Sequence, residues 1–260
     1  MSKIRLDLLL VERGFAETRS KAQAIIMAGQ VRVNGQMVDR AGAAFLPDVQ
    51  IVVETGPQFV SRGGEKLAGA LKAFPLDING LVCADVGAST GGFSDCLLQY
   101  GAARIYAIDV GKGILHWKIR SDARVVVMEE TNARYVEALP EKVQLVVCDA
   151  SFISLKTLLP VFSGWLAEDA NVITLIKPQF EAGRVDVARG DGVVRDPAIH
   201  RRVLEDVLAF AQKLGFGVQG LIRSPLLGPK GNTEFLAWLL WQKSGQDIPA
   251  LVETAMEQQS

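Results

Sequence analysis

The sequence predicts an α/β protein in which a doubly wound, mostly parallel sheet follows a small α+β domain. From about residue 81 onward, short apolar runs alternate with amphipathic stretches, as expected for strands and helices of a parallel sheet. No helix separates the last two apolar runs, 218–223 and 234–241, so we expect them to close the sheet as an antiparallel hairpin. A length of 260 residues favours two unequal domains.

The first part of the chain has the pattern of two short helices and a hairpin. Apolar residues lie on one helical stripe over 6–11, and a second helix is predicted over 19–28. Residues 31–33 alternate between apolar and polar before an Asn-Gly turn, and a strand at 49–53 closes the domain. These elements predict a compact α+β unit.

Basic residues are concentrated in this small domain. The first forty residues contain seven Lys or Arg and four Asp or Glu, a formal charge of +3, although the whole chain has a net charge of −1. Such asymmetry indicates a polyanionic partner at the basic end. The candidate phosphate contacts are Arg5, Arg19, Lys21 and Arg32. The alternative is a small helical cap for the larger domain.

A glycine turn between two predicted strands indicates a nucleoside cofactor. The first strand ends at Asp85, and the second ends at Asp109, whose carboxylate can bind ribose hydroxyls. The candidate binding residues between them are Gly87, Ser89, Thr90, Gly91, Gly92 and Phe93. Because the Asp85 carboxylate would repel a pyrophosphate, the turn suits the ammonium and sulfonium of S-adenosylmethionine better than a dinucleotide. The alternative is an ordinary glycine turn.

Four charged residues stand where predicted strands begin or end. These residues are Lys66, Asp149, Lys177 and Glu234. Ligands of open α/β sheets bind at the carboxyl ends of the strands, and charges at apolar strand ends are costly to bury unless they are paired. Each residue alone would be an ordinary strand terminus, whereas the four together indicate a catalytic group.

The chain resembles, along its whole length, the TlyA (haemolysin A-like) family of ribosomal RNA 2′-O-methyltransferases. The segments that carry the resemblance are 85–93, Ser151-Phe152-Ile153-Ser154 and 176–181, together with a string between residues 5 and 35 that is similar to the alpha-L, or S-four-type, RNA-binding domain. The resemblance implies an S-four-like domain over 1–54, a linker over 55–60, an FtsJ-like domain over 61–245 with a Rossmann-like methyltransferase sheet, and a helical tail over 246–260.

The resemblance also implies a reaction and its residues. A methyl group would pass from S-adenosylmethionine to a ribose 2′-hydroxyl of rRNA, with cytidine as the expected nucleoside. Lys66, Asp149, Lys177 and Glu234 would form the catalytic tetrad, and Asn132 and Asp149 would join the cofactor contacts. Lys177 would act on the hydroxyl, either as a base or as a group that orients it and stabilises charge. No metal is expected.

A segment rich in glycine and arginine follows the strand that carries Lys177. It spans 181–197, and we expect a mobile lid that becomes ordered on RNA, with an ordinary exposed loop as the alternative. Arg184 and Arg189 in this segment are therefore further candidates for RNA contacts, and Arg62, before the first strand of the sheet, is another.

Other functions fit the residues less well. Methylation of a base amine would favour an Asn/Asp-Pro-Pro-aromatic strand end, whereas this chain has Asp149-Ala150-Ser151-Phe152. Carbon-5 methylation of cytosine needs an attacking thiol, and strand alternation places Cys148 on the face opposite to Asp149. The alternatives that are not enzymes are a ribosome-assembly factor with little catalysis and a membrane-lytic haemolysin.

Composition favours a cytoplasmic setting. The three cysteines have no metal-ligand spacing and two lie in apolar runs, so we expect buried, reduced thiols. No apolar stretch approaches the ~18 residues of a membrane span. We therefore expect no membrane partner. The resemblance implies ribosomal RNA or ribosomal subunits as partners, and we expect a monomer.

Overall fold

The computed structural model of the protein describes residues 2–54, 56–183 and 190–258. The chain divides into two compact units, Met1–Gln58 and Phe59–Ser260.

The first unit contains two helices and short antiparallel strands. Its elements are β1 (Ile4–Arg5), α1 (Leu6–Glu12), α2 (Arg19–Met27), β2 (Val31–Val33), β3 (Gln36–Met37), β4 (Ala44–Phe45) and β5 (Ile51–Val53). Strand β2 lies between β3 and β5, while β1 pairs with β4. The predicted helices and hairpin are present, and Thr18 Oγ1 accepts a hydrogen bond from Lys21 N at the start of α2. The β1–β4 pair was not predicted, because two-residue strands have too little alternation to be recognised.

The second unit is built on a seven-stranded sheet. Its strands are β6 (Val82–Val86), β7 (Arg104–Ile108), β8 (Val125–Met128), β9 (Val143–Cys148), β10 (Leu166–Ile176), β11 (Phe216–Arg223) and β12 (Phe235–Trp241). The order across the sheet is β11-β12-β10-β9-β6-β7-β8. Strands β10, β9, β6, β7 and β8 are parallel, and β12 pairs antiparallel with both β10 and β11. The predicted fold, a mostly parallel Rossmann-like sheet with a terminal antiparallel hairpin, is confirmed.

Helices cover both faces of this sheet. They are α3 (Gly63–Ala73), α4 (Gly92–Gln99), α5 (Trp117–Arg120), α6 (Leu155–Trp165), α7 (Pro178–Glu181), α8 (Pro197–Lys213) and α9 (Ile248–Glu257), with 3₁₀ turns at Ala133–Tyr135 and Pro229–Gly231. One apolar cluster joins the sheet to α6, α8 and α9, and the other joins it to α3, α4 and α5. Neighbouring strand residues alternate between the two clusters, as Cys83 and Ala84 do.

Strand β10 begins earlier than the sequence indicated. The apolar run predicted residues 172–176, whereas the strand starts at Leu166 and shifts register between Leu166 and Asn171. Two adjacent acidic residues, Glu168 and Asp169, interrupt the apolar pattern at this shift. The interruption concealed the first half of the strand.

Among the residues that the structure describes, no helix has both the length and the apolar character needed to span a membrane.

Candidate active site at the carboxyl edge of the sheet

The strand ends bring the predicted functional residues to one edge of the sheet. Val86, Ile108 and Cys148 are in register at the carboxyl ends of β6, β7 and β9. The residues that follow them are therefore neighbours, and they are Gly87, Asp109 and Asp149. Lys177 follows β10 and Glu234 precedes β12, and these two ends meet because Ile176 pairs with Phe235.

Lys66, Asp149, Lys177 and Glu234 form one connected chain of charges. Lys177 Nζ lies 2.5 Å from Asp149 Oδ1, and Lys66 Nζ lies 2.6 Å from Glu234 Oε2. A longer distance of 4.0 Å from Lys66 Nζ to Asp149 Oδ2 joins the two pairs. Both lysines and Glu234 are buried, while Asp149 keeps 22% side-chain exposure. The structure thus brings together four residues that are far apart in sequence.

The two lysines have different surroundings. Lys177 Nζ also donates to Ser151 Oγ at 3.0 Å and to the Asp149 carbonyl oxygen at 3.3 Å, so three oxygens surround this amine. Lys66 Nζ has one close partner, Glu234, and faces a cavity. In this arrangement Lys66 has an N–H available to a ligand, whereas the N–H bonds of Lys177 are already paired.

Two adjoining cavities open at this edge. The larger, of about 510 Å³, is lined by the start of α3, the glycine turn and the 227–231 loop, and includes Lys66. The smaller, of about 290 Å³, is lined by the ends of β6, β7 and β9 and includes Asp109 and Asn132. Gly87, Ser89 and Asp149 line both cavities. A ligand with two parts could therefore occupy both.

The glycine turn has the backbone that such a ligand needs. Gly87 has φ 81° and Gly91 has φ 93°, values that favour glycine. A β-carbon on Gly87 would lie 3.0 Å from the Ala150 backbone, so only glycine fits between the ends of β6 and β9. Thr90, Gly92 and Phe93 line the larger cavity, while Gly91 is the residue that caps α4.

Asp109 and Asn132 are held in place by backbone groups. Asp109 Oδ2 accepts from Ser89 N at 2.8 Å and Oδ1 accepts from Gly111 N at 2.7 Å. Asn132 Oδ1 accepts from Arg134 N at 3.1 Å and so begins the 3₁₀ turn. Each carboxylate oxygen of Asp109 retains a lone pair that could accept a hydroxyl.

Asp85 lies beneath the cavities and lines neither of them. Its carboxylate is fully buried; Ser94 Oγ donates to Oδ2 at 2.6 Å, and Oδ1 has no partner. The pKa of Asp85 is raised to about 7, chiefly by burial and in smaller part by the nearby charges of Asp149 and Asp109, while hydrogen bonds from Ser94 oppose the rise. The expected direct contact between Asp85 and a cofactor thus has no open path in this conformation.

Phe152 is a site residue that the sequence reasoning missed. Its side chain is 89% exposed although it lines the smaller cavity, and its ring lies 4.9 Å from the Phe180 ring. Phe152 has φ 64°, which is strained for an aromatic residue and points to function. The available signal was an aromatic residue three positions after Asp149, which we used for the family resemblance and to argue against methylation of a base amine, but not as a binding residue.

The basic candidates of this unit are only partly described. Arg62 lines the larger cavity and donates to the Leu227 carbonyl at 3.4 Å. Lys230, which the sequence reasoning missed, lines the same cavity. Arg184 and Arg189 lie outside the described residues, as does the part of the expected lid that contains them. Downstream of that part, Val193 and Val194 are buried.

In the first unit, the four basic candidates all have acidic partners. The buried Asp7 carboxylate accepts from Arg5 Nη2 at 3.0 Å and Arg19 Nε at 2.9 Å. The hydrogen bond from Arg5 is the main reason why the pKa of Asp7 is well below its usual value. Lys21 pairs with Glu17, and Arg32 pairs with Glu54. All four basic side chains remain between 42% and 63% exposed, so their outer donors can still reach phosphates.

Within the described ranges, no group of three or more His, Cys, Asp or Glu side chains is arranged to hold a metal ion. The three cysteines are buried and free.

Comparisons with known proteins identify both units. The FtsJ-like methyltransferase family matches residues 59–240, and the S4 domain matches residues 4–51. The 16S/23S rRNA (cytidine-2′-O)-methyltransferase TlyA of Mycobacterium tuberculosis is 46% identical over 244 residues, which cover 92% of this chain and 91% of that protein. Hemolysin A of Brachyspira hyodysenteriae is 41% identical over 237 residues, 90% of this chain and 98% of that protein. The solved "putative hemolysin" of Streptococcus thermophilus is 42% identical with a TM-score of 0.75, and the match covers 98% of this chain and 95% of that one.

Proposed function

Because this chain belongs to the TlyA family, which joins an S4 domain to an FtsJ-like methyltransferase domain, we propose that it methylates a ribose 2′-hydroxyl of ribosomal RNA, with cytidine as the nucleoside. The observation that carries this proposal is the connected chain Lys177–Asp149–Lys66–Glu234 beside two adjoining cavities. Its place of action is the cytoplasm, where ribosomal subunits are the partners.

The smaller cavity fits the nucleoside part of S-adenosylmethionine. Asp109 offers two fixed carboxylate oxygens to the ribose hydroxyls, and Asn132 and Ile114 line the space beside it. Gly87 lines both cavities and so lies where they meet. Asp149 lines both cavities and would attract the ammonium and sulfonium of the cofactor. The buried carboxylate of Asp85, when it is ionised, adds negative potential at the same place.

When bound, the cofactor supplies the methyl group. Lys66 lines the larger cavity and can donate to the substrate oxygen, so it would align the ribose. Lys177, with its three oxygen partners, would hold Asp149 in place. Its positive charge would stabilise the negative charge that develops on the hydroxyl oxygen. Proton acceptance by Lys177 would first require one of these hydrogen bonds to break.

Phe152 offers a flat apolar surface at the rim of the smaller cavity. Bases of single-stranded RNA stack on exposed aromatic rings with ~1–3 kcal/mol per base. The ring is supported from behind by Phe180, over which Lys177 Nζ lies at 5.8 Å. We therefore assign Phe152 to stacking on a base at this cavity rather than to the core.

The direct test uses labelled S-adenosylmethionine with purified ribosomal subunits and naked rRNA, followed by nucleoside mass spectrometry. We expect label in a 2′-O-methylated nucleoside of the rRNA. Label in a base would contradict the proposed chemistry, and rRNA binding without label would support an assembly factor instead.

The S4 unit should hold the RNA backbone and contribute little to base reading. Replacing Arg5, Arg19 and Lys21 by alanine should weaken binding similarly for different RNA sequences, because these residues contact phosphates. The log–log salt slope should fall by about 0.7–0.9 for each phosphate that the variant no longer neutralises. Affinity measured at several salt concentrations tests this, with Lys3→Ala, which changes one charge in the same unit, as a control. An unchanged slope would show that the second unit alone holds the RNA.

A further inference from the structure

Two residues outside the charged chain contact its buried end. The Glu234 carboxylate is fully buried, and its Oε2 accepts from Lys66 Nζ at 2.6 Å. Its other oxygen, Oε1, accepts from Gln179 Nε2 at 3.3 Å. Gly228 lies against the same oxygen so closely that a β-carbon at position 228 would overlap it. Glu234 is thus held from three sides.

Gly228 is required for space and not for backbone conformation. Its φ of −72° and ψ of −173° are open to any residue. The loop around it is fixed, because Gly228 N donates to the Asn232 carbonyl at 2.8 Å. The buried Asn232 side chain in turn donates to Gly192 O at 3.1 Å and accepts from Val194 N at 3.1 Å. An added methyl group would therefore displace the carboxylate more easily than the loop.

Gln179 connects the two ends of the charged chain. It lies two residues after Lys177 in α7 and is buried, and its Nε2 faces Glu234 while its Oε1 has no partner. The opposite amide orientation would place two acceptor oxygens against each other, so the contact specifies a donor at this position. Its contact with Glu234, together with the backbone that joins it to Lys177, thus links the two ends of the charged chain.

We propose that Gln179 and Gly228 are positioning residues that fix the Glu234 carboxylate and, through it, Lys66. The kinetic consequences rest on the proposed function, whereas the geometric part does not. If Glu234 moved, Lys66 Nζ could shift toward Asp149 Oδ2, now 4.0 Å away, and compete with Lys177 for its partner. The contact of Glu234 with Gln179 and Gly228 therefore keeps the two lysines on separate carboxylates.

Gly228→Ala tests the steric half. We expect turnover at saturating RNA to fall about 10–100-fold, because small displacements of catalytic groups have effects of this size. The KM for RNA and the affinity for cofactor should stay within about threefold of the parent, because a positioning residue acts on the chemical step and not on binding. Gly164→Ala is the matched control: a β-carbon there meets the Glu137 carbonyl at an ordinary 3.5 Å, and turnover should not change. A kcat for Gly228→Ala within twofold of the control would overturn the proposal.

A shorter carboxylate should relieve the overlap. Glu234→Asp alone should lower turnover, but Gly228→Ala combined with Glu234→Asp should lose less than the product of the two single effects. Multiplicative losses would show that the residues act independently and would contradict the proposal.

Gln179→Met tests the hydrogen bond without changing the length of the side chain. We expect the same fall in kcat with little change in KM. A change in KM with an unchanged kcat would overturn the assignment. The crystal structure of Gly228→Ala provides a measurement that does not need activity: Glu234 should move away from residue 228, and an unmoved carboxylate refutes the inference. If the parent transfers no methyl group but Glu234 moves, the proposed function fails and the positioning contact stands.

Discussion

Lys177→Ala is expected to lower the rate of methyl transfer by about 10³-fold or more while the affinity for the cofactor stays within a few-fold of the parent. The charge of Lys177, although its N–H bonds are paired, favours the negative charge that develops on the substrate oxygen, and losing one such electrostatic contribution costs about 10²–10³-fold. The variant also frees Asp149, which Lys177 fixes through a 2.5 Å contact. Binding should persist because Lys177 lines neither cavity. Calorimetry measures the affinity for the cofactor, and a turnover assay on the same preparation measures the rate of methyl transfer.

Two further variants make the result interpretable. Lys156→Ala removes a more exposed lysine that pairs with Asp206 on the surface, and it should leave turnover unchanged. Lys177→Arg retains a cation that cannot act as a base at neutral pH, so residual activity well above that of Lys177→Ala would favour charge stabilisation over proton abstraction. Turnover of Lys177→Ala within a few-fold of the parent would remove Lys177 from the mechanism.

The order of strands and helices could be predicted because apolar periodicity is a local signal. Strand β9 was predicted with the bounds that the structure shows, Val143–Cys148, because its residues other than Gln144 are apolar and buried. Strand β10 was predicted too short, because a register shift is not visible as periodicity. The absence of a helix between the last two strands predicted that β11 and β12 pair antiparallel, but it did not predict that β12 also pairs with β10.

The site could be predicted where its residues stand at strand ends, and the resemblance also implied Lys66, which lies in α3. Lys177, Asp149 and Glu234 were found in this way, because parallel strand ends meet at one edge. Gln179, Ser151 and Gly228 were not found, since their contacts depend on side-chain packing between distant segments. The burial of Asp85 beneath the glycine turn was equally invisible, because a strand end does not reveal on which side of a turn the side chain lies.

Asp85→Asn is expected to stabilise the cofactor-free protein at pH 8 and to weaken cofactor binding at the same pH. The carboxyl pKa is raised from 3.8 to about 7, so the folded state keeps a proton that the unfolded state has lost over this interval. The contribution of Asp85 to the free energy of unfolding therefore falls as pH rises from about 4 to 7. Above pH 7 the ionised carboxylate destabilises the folded state by up to about 4 kcal/mol, which corresponds to the rise of about three pKa units. Asparagine keeps the shape and removes the charge, so its advantage should grow through this interval and stay constant above it.

Tryptophan fluorescence can follow this change in the second unit alone. All four tryptophans of the chain, Trp117, Trp165, Trp238 and Trp241, lie within Phe59–Ser260. Urea unfolding of parent and Asp85→Asn at several pH values should give curves of stability against pH that diverge between pH 4 and 7. Parallel curves would show that Asp85 is not protonated in the folded state below pH 7.

For cofactor affinity, we expect the opposite order: the parent should bind the cofactor more tightly than Asp85→Asn at pH 8. A ligand with an ammonium and a sulfonium favours the anionic form of Asp85, so the affinity of the parent should rise as pH increases through about 7. The affinity of Asp85→Asn should not change with pH. At pH 8 it should be about tenfold weaker than that of the parent, which corresponds to about 1.4 kcal/mol. Ser94→Ala removes the hydrogen bond that favours the anion, and its affinity should therefore rise at a higher pH than that of the parent. Calorimetric titration in two buffers of different ionisation enthalpy should detect proton release near pH 7 in the parent and none in Asp85→Asn. Equal affinity of parent and Asp85→Asn across pH 5–8 would mean that the buried carboxylate only organises the glycine turn through Ser94, and that Asp149 alone attracts the cationic end of the cofactor.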